Sequence, residues 1–150
     1  MSVKNLVTYS FTSVLMSFIG SLSIILVLSQ SAYAAKLTVN ISDLEAEKGH
    51  LLVALYAGKE DYQNGKEIKA SKAKVNQKEL SVIFEDIADG EYAIKMYQDE
   101  NDNNELDKNM MGIPKEGYGF SNNVGMFGQP EYKEAKFTVK DNTVIDIDLF

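Results

Sequence analysis

From Lys36 onward the chain alternates apolar and polar residues over short stretches. Leu37, Val39 and Ile41 fall on one side of an extended segment and Thr38, Asn40 and Ser42 on the other, the period-two pattern of a half-buried strand. After a Glu47-Lys48-Gly49 turn, His50 to Tyr56 is apolar on both sides, which predicts a central strand covered on two faces. Lys59 to Ser71 is polar and predicts one irregular helical turn crossing between sheets. Lys72 to Asn76 and Leu80 to Phe84 are further short strands, the second with Leu80, Val82 and Phe84 inward. Asp89-Gly90 is a turn signal between two such runs, and Glu91 to Tyr97 follows with Tyr92, Ile94 and Met96 in register and Lys95 facing out. At the far end Ala135, Phe137 and Val139 alternate, Asp141-Asn142 turns, and Ile145, Ile147 and Leu149 point inward while Asp146 and Asp148 face water. Seven strands at short spacing with no long helical period predict an all-β fold. The expected form is an antiparallel seven-stranded β-sandwich, immunoglobulin-like in its patterning, with one long loop between the fifth and sixth strands.

The pattern changes character before residue 35. Lys4 precedes an apolar run from Val14 to Leu28, then Ser29-Gln30-Ser31 and Ala32-Tyr33-Ala34, an A-x-A cleavage signal. The run is short for a membrane span and lacks a basic flank. Residues 1–34 are expected to be a secretory signal peptide and residues 35–150 a single domain, exported to the periplasm or the extracellular medium, with no membrane span after cleavage. An uncleaved anchor is the alternative. Charge narrows the partners. With 22 acidic against 15 basic residues the chain carries a net charge of −7, and every basic residue is lysine; without arginine's planar fork and with the wrong overall sign, no nucleic-acid partner is expected. The absence of cysteine excludes thiol catalysis and thiolate metal sites.

The candidate chemistry sits in the long loop. Asp99, Asn101, Asn103, Glu105 and Asp107 set oxygen atoms at alternate positions, close to the opening of a D-x-[DN]-x-[DN]-G calcium loop. Asn104 stands where the turn glycine is usual and Met110 where a bidentate glutamate is usual, so the loop needs a carboxylate from elsewhere, with Glu116 or Glu100 as candidates. Calcium would relieve the repulsion among five carboxylates in the nine residues from Asp99 to Asp107. The competing reading is an acidic turn whose side chains cap backbone groups.

The same region is rich in large apolar residues: Met110, Met111, Ile113, Tyr118, Phe120, Met126, Phe127 and Tyr132. They predict either a small core folded over an open end of the sandwich or a ligand surface, with Tyr118, Phe120 and Asn122 as its candidate contacts. Catalytic readings have less to stand on. His50 is the only histidine, Gly119-Phe120-Ser121-Asn122-Asn123 lacks the final glycine of a nucleophile elbow, and the loop acids lie among polar neighbours that do not raise a carboxyl pKa.

Gly90-Glu91-Tyr92-Ala93-Ile94, Asp99-Glu100-Asn101, Leu106-Asp107 and Gly112 through Asn123 closely resemble the secreted bacterial family catalogued as domain of unknown function 2141. The resemblance implies a transthyretin-like or carboxypeptidase-regulatory-like β-sandwich and supplies no reaction. The expectation is an exported non-enzymatic module that binds a carbohydrate, a peptide or an envelope protein. A small periplasmic hydrolase or lyase using loop carboxylates is the alternative.

Overall fold

The computed structural model describes residues 35–44 and 49–150. The expected signal segment and most of the predicted turn at 47–49 lie outside the described residues.

Alternation becomes strand wherever one side of the segment can be buried. β1 (Ala35–Ser42) buries Leu37, Val39 and Ile41 and leaves the residues between them half-buried. β2 (His50–Ala57) leads into a short helix, α1 (Gly58–Asn64), and then β3 (Lys69–Lys74), β4 (Leu80–Ile87), β5 (Gly90–Asp99) and β6 (Tyr118–Phe120). A 3-10 turn at Ser121–Asn123 and a four-residue helix, α2 (Tyr132–Ala135), precede β7 (Phe137–Val139) and β8 (Thr143–Asp148). One sheet has the order β4-β1-β8; the other runs β3-β2-β5-β6, with β7 also paired to β5. A single apolar cluster lies between them, drawing Leu37, Val39 and Ile41 from one sheet and Leu51, Val53, Leu55, Ile94 and Met96 from the other.

The chain is therefore mostly β, with two sheets sharing a core, and it differs from the sequence expectation in four places. Among the described residues there are eight strands and not seven, because Tyr118–Phe120 is too short to show an alternation. The sandwich is not wholly antiparallel: β8 runs parallel to β1. The chain enters β8 from β7, which belongs to the other sheet, so no hairpin fixes its direction against β1. The segment after β2 does not cross between sheets, since α1 returns the chain to β3 beside β2. The chain crosses instead between β3 and β4, and crosses back at Ala88-Asp89, where the turn before Gly90 joins β4 of one sheet to β5 of the other.

β5 positions everything that follows. It pairs with β2 along one edge, and on its other edge with β6 over Lys95–Tyr97 and with β7 over Gly90–Tyr92. Ser121, fully buried, fills the gap between those two short strands: its hydroxyl accepts the Ile94 N–H at 2.9 Å and donates to the Ala135 carbonyl. The serine of the apparent nucleophile motif is thus a rung of the sheet. Gly119 is required by close packing, since a Cβ there would sit 2.9 Å from Met96 Cε and 3.2 Å from the Asp148 carbonyl oxygen. Among the described residues no helix is long and apolar enough to cross a membrane.

Candidate functional site

The acidic loop leaves the end of β5 and folds back on itself through hydrogen bonds of its own. Asp99 is fully buried, and its carboxylate accepts the backbone N–H groups of Asn103 and Asn104 at 3.1 and 2.9 Å. Asn101 and Asn103 each cap the amide two residues on, that of Asn103 at 3.0 Å and that of Glu105 at 2.8 Å, the Asx-turn that Asn and Asp favour. Asp102 and Asn104 supply left-handed backbone at φ 61° and 62°, so Asn104 performs the turn normally given to glycine. Both oxygens of Asp107 accept side-chain amides, from Asn101 at 2.7 Å and Asn103 at 3.2 Å. Glu105 is exposed and enters the network through its backbone amide.

Glu116, from the far end of the loop, is 7% exposed and turns inward to accept the N–H groups of Glu100 and Asp107, both at 2.9 Å. Asp102 points the other way and is hydrogen-bonded to His50 Nδ1 at the start of β2. The structure thus brings Asp99, Asn101, Asn103, Asp107 and Glu116 into one network, with Asp102 outside it. Among the described residues no three His, Cys, Asp or Glu side chains form a ready metal cluster. Asn104 is anchored twice more, its side-chain oxygen by Lys72 Nζ at 2.7 Å and its carbonyl by the Tyr97 hydroxyl at 2.9 Å. Burial, and then the negative charge of Asp99, Glu116 and Glu105, raises the Tyr97 pKa.

Beyond the network the chain makes two tight turns with apolar tips. Asn109 Oδ1 accepts the amides of Met111 and Ile113, and the turn so fixed leaves Met110, Met111 and Ile113 exposed at 106%, 80% and 53%. The second turn is closed by the Gly128 N–H on the Gly125 carbonyl and held by the Tyr118 hydroxyl on the Met126 carbonyl. It leaves Met126 and Phe127 exposed at 57% and 100%.

These turns overhang a groove of about 1130 Å³ on the outer face of the five-stranded sheet. Its floor is Leu52 and Ala54 of β2, Lys95 and Tyr97 of β5, and Tyr118 and Phe120 of β6; Met111, Ile113, Pro114, Met126 and Phe127 stand around it. At the end nearer α1 and α2 the same face is closed by a second apolar cluster of Tyr56, Tyr62, Ala93, Tyr132 and Ala135. The Tyr56 and Tyr62 rings meet edge to face at 5.7 Å between centroids. Lys95 stands at the boundary. Its Nζ lies 4.3 Å from the Tyr62 ring centroid and 4.8 Å from that of Tyr56, and donates to the Tyr62 carbonyl at 2.6 Å and to Gln129 Oε1 at 3.2 Å. Burial lowers its pKa.

Of the ligand-surface candidates, Tyr118 and Phe120 line the groove, their rings edge to face at 6.0 Å between centroids. Phe120 is nevertheless 8% exposed, so it is wall and core together. Asn122 is engaged elsewhere, its amide donating to the Glu134 and Lys136 carbonyls at 2.8 and 2.9 Å. The loop apolar residues accordingly divide: Phe120 and Tyr132 are buried, while Met110, Met111, Ile113, Met126 and Phe127 are exposed. Sequence reasoning missed Leu52, Ala54, Lys95 and Tyr97 as a floor. The signal was present in a β2 apolar on both sides and a lysine on the outer side of β5.

The family model described as "Uncharacterized protein conserved in bacteria (DUF2141)" matches residues 39–146. No curated protein and no solved structure matches the chain.

Proposed function

The chain belongs to the bacterial family DUF2141, and from that premise we propose that it is an exported, non-enzymatic β-sandwich module that holds an apolar ligand in the groove. The sandwich is proposed to be of the immunoglobulin-like or transthyretin-like kind. The observation that carries the reading is the set of exposed residues around the opening. Met111, Ile113, Met126 and Phe127 are held out by hydrogen-bonded turns over an apolar floor. Side chains this exposed add little to folding, and methionine with aromatics suits adaptable apolar contact. Export rests on the apolar run and Ala32-Tyr33-Ala34. The non-enzymatic reading is supported by Ser121, whose hydroxyl is spent inside the sheet, and by His50, which is bonded to Asp102.

A carbohydrate would ask the floor for many more hydrogen-bonding groups than Leu52, Ala54 and Phe120 offer. A peptide or envelope protein would have to present an apolar segment. Calcium in the acidic loop belongs to the same proposal as a stabiliser beside the groove. Glu116 would be the outside carboxylate that the Met110 position lacks, turning to the ion the oxygens that here accept the Glu100 and Asp107 N–H groups.

Nile red, an uncharged apolar dye, tests the groove. Its fluorescence should rise in the presence of the domain, and Met111→Asp should weaken the effect at least fivefold without moving the melting midpoint. An unchanged titration with Met111→Asp would remove the groove from consideration.

A further inference from the structure

The groove is apolar in its walls but not neutral in its charge. Its charged lining residues are Glu67, Lys72, Lys95 and Lys108, three cations to one anion in a chain where acids outnumber bases 22 to 15. This is the opposite of what random placement on an acidic protein would produce.

Lys95 stands out among them. It is half-buried on the groove floor, with its Nζ against two aromatic rings. Among the described residues, Lys133 and Lys136 each hold a carboxylate, at 2.8 and 2.6 Å, whereas no carboxylate lies within ion-pair distance of Lys95. An ammonium has three N–H donors, and two are directed at the Tyr62 carbonyl and Gln129 Oε1. A desolvated cation with neutral acceptors only is costly unless an anion is supplied.

The floor also discriminates between occupants. It is the face of a sheet, and the backbone groups of β2 and β5 are spent sideways on their neighbours. A peptide laid there would desolvate its amides without partners. An acyl chain has no such demand and needs a partner only for its head.

From the apolar floor, the reversed local charge and the Lys95 ammonium, which has no carboxylate partner among the described residues, we infer that the groove takes a single-chain amphiphile with an anionic head, a long-chain carboxylate. Its tail lies under the Met111–Ile113 and Met126–Phe127 turns and its carboxylate meets Lys95. The inference rests on the groove reading above and narrows it.

Calorimetric titration with dodecanoate below its micellar concentration tests it, alongside dodecyltrimethylammonium, which has the same chain and the opposite head. Dodecanoate should bind about tenfold or more tightly than the cation, as one charge-assisted contact allows. Lys95→Met, which keeps the apolar stem, should erase that preference while Nile red still binds. The head-group comparison on the unaltered protein needs no variant and stands even if Lys95→Met folds poorly. Equal affinity for both heads, or Nile red binding without dodecanoate binding, overturns the carboxylate and leaves the groove. Dodecanoate bound only when phosphatidylglycerol vesicles are present overturns it in favour of a membrane surface. Failure of both Nile red and dodecanoate to bind removes the groove and the inference together.

Discussion

The two sheets share one core yet turn opposite outer faces to their surroundings. On the three-stranded sheet the outer side chains include a polar ladder, Ser81 donating to Asn40 at 2.8 Å and Asn40 to Asp146 at 2.9 Å, with Ser42 bonded to Asp148 on one side and exposed Ile83 and Val144 flanking Thr38 on the other. On the five-stranded sheet the outer positions are Leu52, Ala54 and Tyr56 of β2 and Lys95 and Tyr97 of β5, half under the helices and half under the overhanging turns. A sheet needs one buried face to be stable, and the polar ladder shows that this fold can leave its second face to water. The apolar second face is therefore an addition to what the sandwich requires, and it divides into an end used for packing and an end left open.

The largest expected effect is at the packed end. Tyr62 is fully buried, and its hydroxyl donates to the Pro130 carbonyl at 3.2 Å. Tyr62→Ala should cost about 3–5 kcal/mol, as for other large buried aromatics, read as a shift in urea midpoint. A loss below about 1 kcal/mol would mean that the helices merely rest on the sheet.

Calcium tests whether the wall beside the open end is self-supporting. If the loop takes the ion, saturation at 100 times the dissociation constant adds about 2.7 kcal/mol. That should raise the melting midpoint by about 10 °C over a chelated sample, and Asp99→Ala should abolish the difference. Superimposable curves would leave the Asx-turn network as the whole explanation of the loop.

Alkaline titration separates the faces by a smaller effect. Burial raises the pKa of Tyr56, Tyr62 and Tyr132, in Tyr62 strongly, and all three belong to the cluster under the helices. With a folded pKa above the unfolded value near 10.0, the stability these groups add is complete below about pH 10 and is lost as pH rises through their folded values. Lys95 acts in the opposite sense: its lowered folded pKa makes stability rise with pH between that value and the unfolded 10.5. Tyrosinate absorbance should lag the ordinary curve and then appear together with unfolding. Ionisation of Tyr56, Tyr62 and Tyr132 ahead of unfolding would show the packed end to be open.

The smallest effects should be at exposed positions on both faces. Phe127→Ala, at a fully exposed ring, should change stability by less than about 0.5 kcal/mol while weakening Nile red binding. Asn40→Ala, which removes two exposed hydrogen bonds, should cost about 1 kcal/mol or less. A large destabilisation by Phe127→Ala would turn the open end into a third piece of core.

How far the sequence carried this picture depends on the length scale of each signal. β1, β5 and β8 were legible because one face of each is buried along several residues, so alternation survives. β6 and α2 were not, since three or four residues hold no period; their places are set by the Lys95–Tyr97 ladder and by the buried Ser121 hydroxyl. Asp89-Gly90 was legible as a turn but not as a sheet crossing, because turn chemistry is local and pairing is not. In the loop, Asp99, Asn101, Asn103 and Asp107 of the alternate oxygens converge in one hydrogen-bonded network with Glu116, whereas Glu105 enters it only through its backbone amide. The groove floor was half legible: β2 advertised two covered faces, but the cover over Leu52 and Ala54 comes from residues 57 to 75 positions further along the chain.

The parallel pairing of β1 with β8 has a kinetic consequence. Asn40 and Asp146 are 106 residues apart in sequence, and β1 is the middle strand of its sheet. Closing so long a loop is entropically slow relative to the nearby β2–β3 pairing. The five-stranded half can thus assemble early while the three-stranded half waits for the last strand. Until Thr143–Asp148 docks, β1 has one partner and a bare edge facing the solvent, so the interval before that docking is when this chain is most exposed to strand exchange with a second copy of itself.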